Sequence, residues 1–321
     1  MTTTKTLRTI FAATDFSSTA NQAVRLGARL AKSNGARLIL HHSVAAHPRP
    51  LLSAGTEIFA SETVEVRQSR ATAKLERIAE ELEALGVEIQ IDLGGDVGAR
   101  PLLASALHHD AELLIVGSRG QRRWRRALLG STASQLVRES PIPVLVVPPR
   151  ADIDRPLRRI LIPTDLEIDL AWPVEALRNV LGEASAPLEA TLLHVHEGLY
   201  QPASPWSTPL VVGADGQTLS AAAERLEEAA RHLPSSFAHV STVVCSGDAA
   251  RAIDCEAQSR RADLTVVAHG RSMRSRLFRS STAERILAES PCPVLSVRIR
   301  EGSSRTLVQV EQEPREATAG A

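Results

Sequence analysis

Apolar residues along this chain fall into short runs, separated by longer amphipathic stretches and by turns that carry glycine or proline. In the first half, the run Thr9–Ala13 ends at Thr-Asp. Ser17 or Ser18 is placed to cap a helix over Thr19–Asn34, which Gly35 closes. The runs Arg37–Val44, Val87–Leu93, Leu113–Val116 and Val144–Val147 predict further strands. Helices are predicted over Ser61–Leu85, stopping at Gly86, over Ala99–His109 and over Ser131–Glu139. Strands alternating with helices in this way predict an α/β fold with a five-stranded, mainly parallel, doubly wound sheet flanked by helices.

The pattern is then written again. ESPIPVLVV (Glu139–Val147) returns as ESPCPVLSV (Glu289–Val297), and RTIFAATD (Arg8–Asp15) returns as RRILIPTD (Arg158–Asp165), both shifted by 150 residues. GSTASQLVRES (Gly130–Ser140) is echoed by SSTAERILAES (Ser280–Ser290). Several blocks at one offset mark a duplication. The second copy predicts strands near Arg159–Pro163, Ala190–His196, His239–Cys245, Leu264–Val267 and Val294–Val297. The expected organisation is therefore two tandem domains, 1–150 and 151–300, joined by a proline-rich charged linker, Pro148–Arg158, and followed by a disordered polar tail, 301–321. The insertion Tyr200–Thr218 reads as a surface excursion in preference to a lid.

Composition narrows the function. Lys+Arg and Asp+Glu balance at 37 each, which argues against broad capture of nucleic acid or an anionic membrane. The core must be aliphatic, because aromatic residues are only 3% of the chain. There are three cysteines, none in a CxxC, so they form no disulfide framework, and the expected compartment is the reducing cytoplasm. Cys245 and Cys255 read as buried small apolar residues in preference to redox sensors. No apolar run approaches the roughly 18 residues that span a bilayer. His41-His42, His108-His109, His194 and His196 fit no metal-ligand spacing and read as structural.

The candidate chemistry lies in GSRGQRRWRRALLGST, Gly117–Thr132. In open α/β sheets, ligands sit at the carboxyl ends of the strands where strand order reverses. Gly117 and Gly120 follow the fourth predicted strand, and Gly130-Ser131 opens the next predicted helix. Glycine allows positive φ or a close approach to bare backbone N–H groups, and a helix N-terminus adds free donors. The hydroxyls of Ser131 and Thr132 add more. Asp15, on the same rim, can accept from a ribose hydroxyl or an adenine amine. Neither a Walker loop nor a GxGxxG fingerprint is present.

With the strand context, Asp15, Gly95-Asp96, PVLVVP and the duplication, G-x2-G-x9-G-S at Gly117, Gly120, Gly130 and Ser131 resembles the nucleotide motif of the universal stress protein (UspA) family. The resemblance spans about Lys5–Pro148 and Pro156–Arg300. It implies a fold like that of the adenine nucleotide alpha hydrolases and binding of ATP (or AMP/ADP) with Mg²⁺. It also implies a stress-response regulator, not a fast enzyme. In that reading Asp15 contacts adenosine, Val116 and Gly117 lie at the nucleotide edge, Arg119 and Gly120 approach phosphate or ribose, and Gly130, Ser131 and Thr132 bind phosphate. The family further implies pairing through the fifth strands, either within this chain as a pseudo-dimer or between chains.

The second copy departs from the motif. Val267 or Ala268 stands for the first glycine and Ser280 for the third, while Asp165, Gly270, Ser281 and Thr282 remain. A weakened second site is expected. The arginines around Trp124 read as a solvated loop, as a flap over phosphate or, least favoured, as a contact for single-stranded nucleic acid. Two other functions stay open: slow ATP hydrolysis or phosphoryl transfer, and a nucleotide-free scaffold for an unknown protein partner.

Overall fold

The computed structural model describes residues 6–45, 63–120, 129–182, 187–196, 216–269 and 280–299. The first half runs β1 (Thr9–Ala13), α1 (Ser18–Asn34), β2 (Arg37–Ser43), α2 (Val64–Glu83), β3 (Ile89–Gly94), α3 (Ala99–His108), β4 (Leu113–Gly117), α4 (Ser131–Glu139) and β5 (Val144–Val147). The second half repeats it as β6 (Arg159–Pro163), α5 (Ala171–Leu181), β7 (Leu188–His196), α6 (Gly216–Arg231), β8 (Phe237–Ser246), α7 (Ala249–Ser259), β9 (Leu264–His269), α8 (Ser280–Glu289) and β10 (Val294–Arg298). The α1 ends follow from local chemistry. The Ser17 side chain accepts from the Ala20 N–H at 3.2 Å, and Gly35 adopts the left-handed conformation at φ 62°.

Within each half every strand pairing is parallel, in the orders β3-β2-β1-β4-β5 and β8-β7-β6-β9-β10. Strand order reverses between β1 and β4 and again between β6 and β9, so each half has a switch point. Each copy supplies the predicted five-stranded parallel sheet, and the two sheets are continuous. β5 and β10 pair antiparallel, joining the halves into a ten-stranded sheet. The register puts Val146 opposite Val294, Leu145 opposite Leu295 and Val144 opposite Ser296, so a pseudo-twofold passes through the Leu145–Leu295 pair. Pairing within the chain is the alternative that the structure adopts.

Alternation along the strands sends Ile10, Ala12, Leu113 and Ile115 to one face, under α1, α2, α5 and α6. It sends Phe11, Ala13, Leu114 and Val116 to the other, under α3, α4, α7 and α8. Each apolar layer runs across both copies. The interface is polar at its rim: Ser134 Oγ donates to Glu284 Oε1 at 2.9 Å between α4 and α8, and Asn34 Nδ2 donates to the Val180 carbonyl at 3.1 Å between α1 and α5.

The predicted linker is anchored on the fold, and one expectation, on the cysteines, is corrected. Ala151 and Ile153 are buried in the layer of α1 and α5. The buried Asp263 accepts from the backbone N–H groups of Arg158 and Arg159, from Arg159 Nη2 at 2.9 Å and from Arg155 Nη2 at 3.0 Å. Of the cysteines, Cys292 is buried, but Cys245 is half-buried and Cys255 exposed. Cys245 lies on the outermost strand, and the inward face of α7 is taken by Ala250, Ile253 and Ala257. Residues 200–215 of the insertion, the arginine-rich stretches and the tail lie outside the described residues. Among the described residues no helix is long and apolar enough to cross a membrane.

Replacing Asp263 with Ala leaves two backbone donors and two guanidiniums facing a void where the linker enters β6. The expected cost is about 3 kcal/mol, read as a lower urea midpoint at unchanged slope.

Candidate functional site

The rim of the first switch point begins where β1 ends. Phe16 has φ 64°, a left-handed conformation that costs an L-residue on the order of 1–2 kcal/mol. The turn is held by Thr14 Oγ1, which accepts from the Phe16 N–H at 2.9 Å, and by Asp15 Oδ1, which accepts from the Ser17 N–H at 3.0 Å. The Phe16 ring packs on His42, centroids 4.3 Å apart, and His42 Nδ1 donates to the Thr14 carbonyl at 2.7 Å. Burial holds the His42 imidazole below its ordinary value despite that bond, consistent with a structural neutral ring. The turn presents the half-buried Asp15 carboxylate to the rim.

The glycines of the motif act through space, not through φ. Gly130 has φ −61°, and neither Gly117 nor Gly120 is among the positive-φ glycines. A Cβ at Gly117 would lie 2.9 Å from the Ala20 backbone nitrogen and 3.0 Å from the Thr19 carbonyl carbon, so glycine lets the start of α1 close on β4. A Cβ at Gly120 would collide with Asp15 Oδ2, which places the carboxylate directly on this loop. Gly130 donates to the Ser118 carbonyl at 2.8 Å and caps α4 without a side-chain hydrogen bond. The first N–H groups of α4 therefore lack intrahelical partners. Ser131 is exposed and Thr132 half-buried beside them.

Two predicted residues are placed differently from the rest. The Val116 side chain is buried in the layer of α3 and α4. Arg119 Nη2 donates to the Ala288 carbonyl of α8 at 3.3 Å, across the copy interface. Asp15, Gly117, Gly120, Gly130, Ser131 and Thr132 all lie on the β1, β4 and α4 rim.

The second copy keeps the turn and alters the cradle. Leu166 also has φ 64°, Asp165 Oδ1 accepts from the Glu167 N–H at 3.0 Å, and His194 Nδ1 donates to the Thr164 carbonyl at 3.0 Å. Strand register settles the first glycine. Gly117 pairs with Val147, and Ala268 pairs with Val297, the counterpart of Val147. Ala268 is therefore the replacement, and Val267 the counterpart of Val116. The helix after the first strand also starts later here: α5 begins at Ala171, three residues after the position matching Ser18. Thr282 is buried, Gly270 lies outside the described residues, and Ser281 lies in the first turn of α8.

Sequence reasoning missed a polar cluster one strand away. His41 on β2, read as structural, contacts Asp92 on β3 and Ser43. Neither partner belongs to a motif; Ser43, two residues on along β2, shares the face of His41 by alternation, and strand register brings Asp92 to them.

The family model described as Universal stress protein family matches residues 6–148 and again 156–298. A universal stress protein of Thermus aquaticus is 32% identical over 140 residues, 44% of this chain and 98% of that protein. One of Methanocaldococcus jannaschii is 30% identical over 135 residues, 42% of this chain and 78% of that protein. The crystal structure of a universal stress protein from Archaeoglobus fulgidus shares the fold over 90% of this chain and 98% of its own, at TM-score 0.63 and 17% identity.

Gly117→Ala is expected to cost about 1–3 kcal/mol, because backbone must move to admit the methyl group. Ala268→Gly, where the partner helix stands back, should cost no more than about 1 kcal/mol; paired urea titrations check both. A pH effect follows from His269. Burial, with the Arg298 charge adding to it, pushes its imidazole down to about 4. Below the unfolded value near 6.5 the unfolded chain takes up a proton that the folded chain refuses. Stability is thus full above about pH 6.5 and falls toward pH 4, by on the order of 3 kcal/mol. In His269→Leu this acid slope should flatten, as seen in unfolding midpoints between pH 4 and 7.

Proposed function

The chain belongs to the universal stress protein family, and we propose that it is a regulator whose first copy binds one adenine nucleotide, ATP with Mg²⁺ or AMP or ADP, and signals that state to the second copy. The observation that carries this reading is a convergence on one rim: the Asp15 carboxylate against Gly120, beside an α4 N-terminus that Gly130 leaves without a side-chain cap. Bare N–H groups at a helix start favour phosphate, and Ser131 and Thr132 add hydroxyl donors. A carboxylate accepts from ribose or from the adenine amine. The residues present fit such a ligand. Mg²⁺ would be carried largely by the phosphates and water; among the described residues no group of three or more His, Cys, Asp or Glu is placed to hold a metal ion.

Regulation is favoured over turnover. Phosphoryl transfer needs a positioned base and metal ligands. Asp15 commits one oxygen to the Ser17 N–H, and the proposed nucleotide takes the other. Arg119 supplies a route to the second copy. Its Nη2 holds the Ala288 carbonyl, and its Nε is buried without a hydrogen-bond partner among the described residues. A phosphate in the cradle competes with that carbonyl for the guanidinium and so bears on α8.

Mass spectrometry of ligand released from the denatured protein, with calorimetry on stripped protein, tests the reading. One adenine nucleotide per chain is expected. Gly120→Val, which drives Asp15 out of place, should weaken binding at least tenfold, or about 1.4 kcal/mol. Fast single-turnover hydrolysis abolished by Asp15→Asn would overturn the regulatory reading in favour of an enzyme. Failure to bind any nucleotide would leave the scaffold.

A further inference from the structure

The first copy holds a second constellation, one strand over from Asp15 and independent of the nucleotide reading. His41 is 2% exposed. Its Nδ1 is 2.7 Å from Asp92 Oδ2 and its Nε2 is 2.9 Å from Ser43 Oγ. The Ser105 hydroxyl also donates to Asp92 Oδ2, and His109 Nε2 lies 3.7 Å from Asp92 Oδ1. Burial opposes ionisation of Asp92, but the hydrogen bonds from Ser105 and His41 outweigh it, so the carboxyl sits below its ordinary value. A carboxylate only accepts, so His41 Nδ1 carries the proton. Burial, against the pull of Asp92 and aided by His42 and His109, keeps the ring below its ordinary value. The neutral ring then turns the Nε2 lone pair toward the Ser43 hydroxyl. Nucleophile, base and orienting acid are thus in hydrogen-bond sequence.

The same chain supplies a control. Ala13 pairs with His41 as Pro163 pairs with Leu193, and His41 pairs with Asp92 as Leu193 pairs with Val243. The second copy therefore puts Leu193, Val195 and Val243 where the first puts His41, Ser43 and Asp92. All three contribute to the apolar layer. Apolar side chains satisfy this fold, and buried polar groups seldom improve on them, so packing does not require the polar set. Gly94 makes room for it. A Cβ there would lie 2.8 Å from His41 Cε1, and the second copy has Cys245 at that position. Ser43, the last residue of β2, is half-buried on the rim, open where His41 is closed.

We propose that Ser43 is a nucleophile toward activated carboxylic esters, with His41 as its general base and Asp92 as the residue that positions the ring. Ser43 Oγ attacks the ester carbonyl carbon as His41 Nε2 takes the hydroxyl proton. The bond to the leaving alcohol breaks, and His41 returns that proton to it, leaving an acyl-serine. Water then adds with His41 as base, the acyl–Oγ bond breaks, and Ser43 is regenerated with release of the carboxylic acid.

The test uses the full chain without nucleotide: mass mapping after a fluorophosphonate probe, and turnover of p-nitrophenyl acetate. One adduct, on Ser43, and steady turnover are expected. Ser43→Ala should remove both in a chain that still folds, with the melting midpoint lowered modestly because His41 Nε2 loses its partner. Asp92→Asn should slow labelling about 100-fold and move its half-plateau to lower pH, since the carboxylate holds the ring proton. His41→Leu, which copies the second half, should abolish labelling; if it fails to fold, Ser43→Ala and Asp92→Asn decide alone. No adduct on the native chain, an adduct elsewhere, or labelling unchanged in folded Asp92→Asn would overturn the proposal.

Discussion

The antiparallel pairing of β5 with β10 removes the open edge that each half-sheet would otherwise present, and the rest of the molecule is arranged around it. Unpaired edge strands invite association with other chains. Here each copy covers the other, with Leu145 and Leu295 fully buried on the pseudo-twofold. Joining the sheets also joins the layers. One apolar face is shared by α1, α2, α5 and α6 and the other by α3, α4, α7 and α8, so the cores of the two halves are continuous. The anchored linker on Asp263 and the Ser134–Glu284 contact follow from that geometry.

A rigid shared platform lets two copies of one sequence diverge at the rim without losing the fold. Both keep the strained turn after the first strand, with φ 64° at Phe16 and Leu166 and a histidine on the carbonyl before it. Strain retained twice, and held each time by a Thr-Asp pair, belongs to how this chain closes the first βα turn of each copy. What differs is clearance. The first copy keeps glycine where α1 and Asp15 crowd the loop; the second has Ala268 there and starts its helix later.

The asymmetry suggests a division of labour. Chemistry gathers in the first copy: the cradle, Asp15, and the His41–Asp92–Ser43 set. The second offers an apolar replica and the α8 carbonyl to which Arg119 reaches. Coupling between two sites needs an element that both can bias. Arg119, part of the motif yet docked on the other copy, is the contact through which the proposed coupling would run.

Much was legible in the sequence because it is local or repeated. Alternation, caps and glycine stops gave the element order; Ser17 and Gly35 act as read, and the helix from Ser131 to Glu139 starts and stops where predicted. The offset of 150 revealed the duplication, and Asp15, Gly120, Gly130 and Ser131 could be assigned to one rim because strand order dictates which loops share it. Other features depend on contacts that no linear pattern encodes. Which residue replaced Gly117 needed strand register, since a gap in a loop moves the count by one. Cys255 was misread as buried because only packing shows which face of α7 turns inward. The approach of Ser43, His41 and Asp92 arises between neighbouring strands at a separation set by folding. The sequence by itself determined the fold class, the two copies and the rim on which the motif glycines lie, because these rest on local periodicity and repetition. Tertiary structure alone decided that the two sheets are one, and which side chains meet, because pairing and burial are long-range properties of the folded chain.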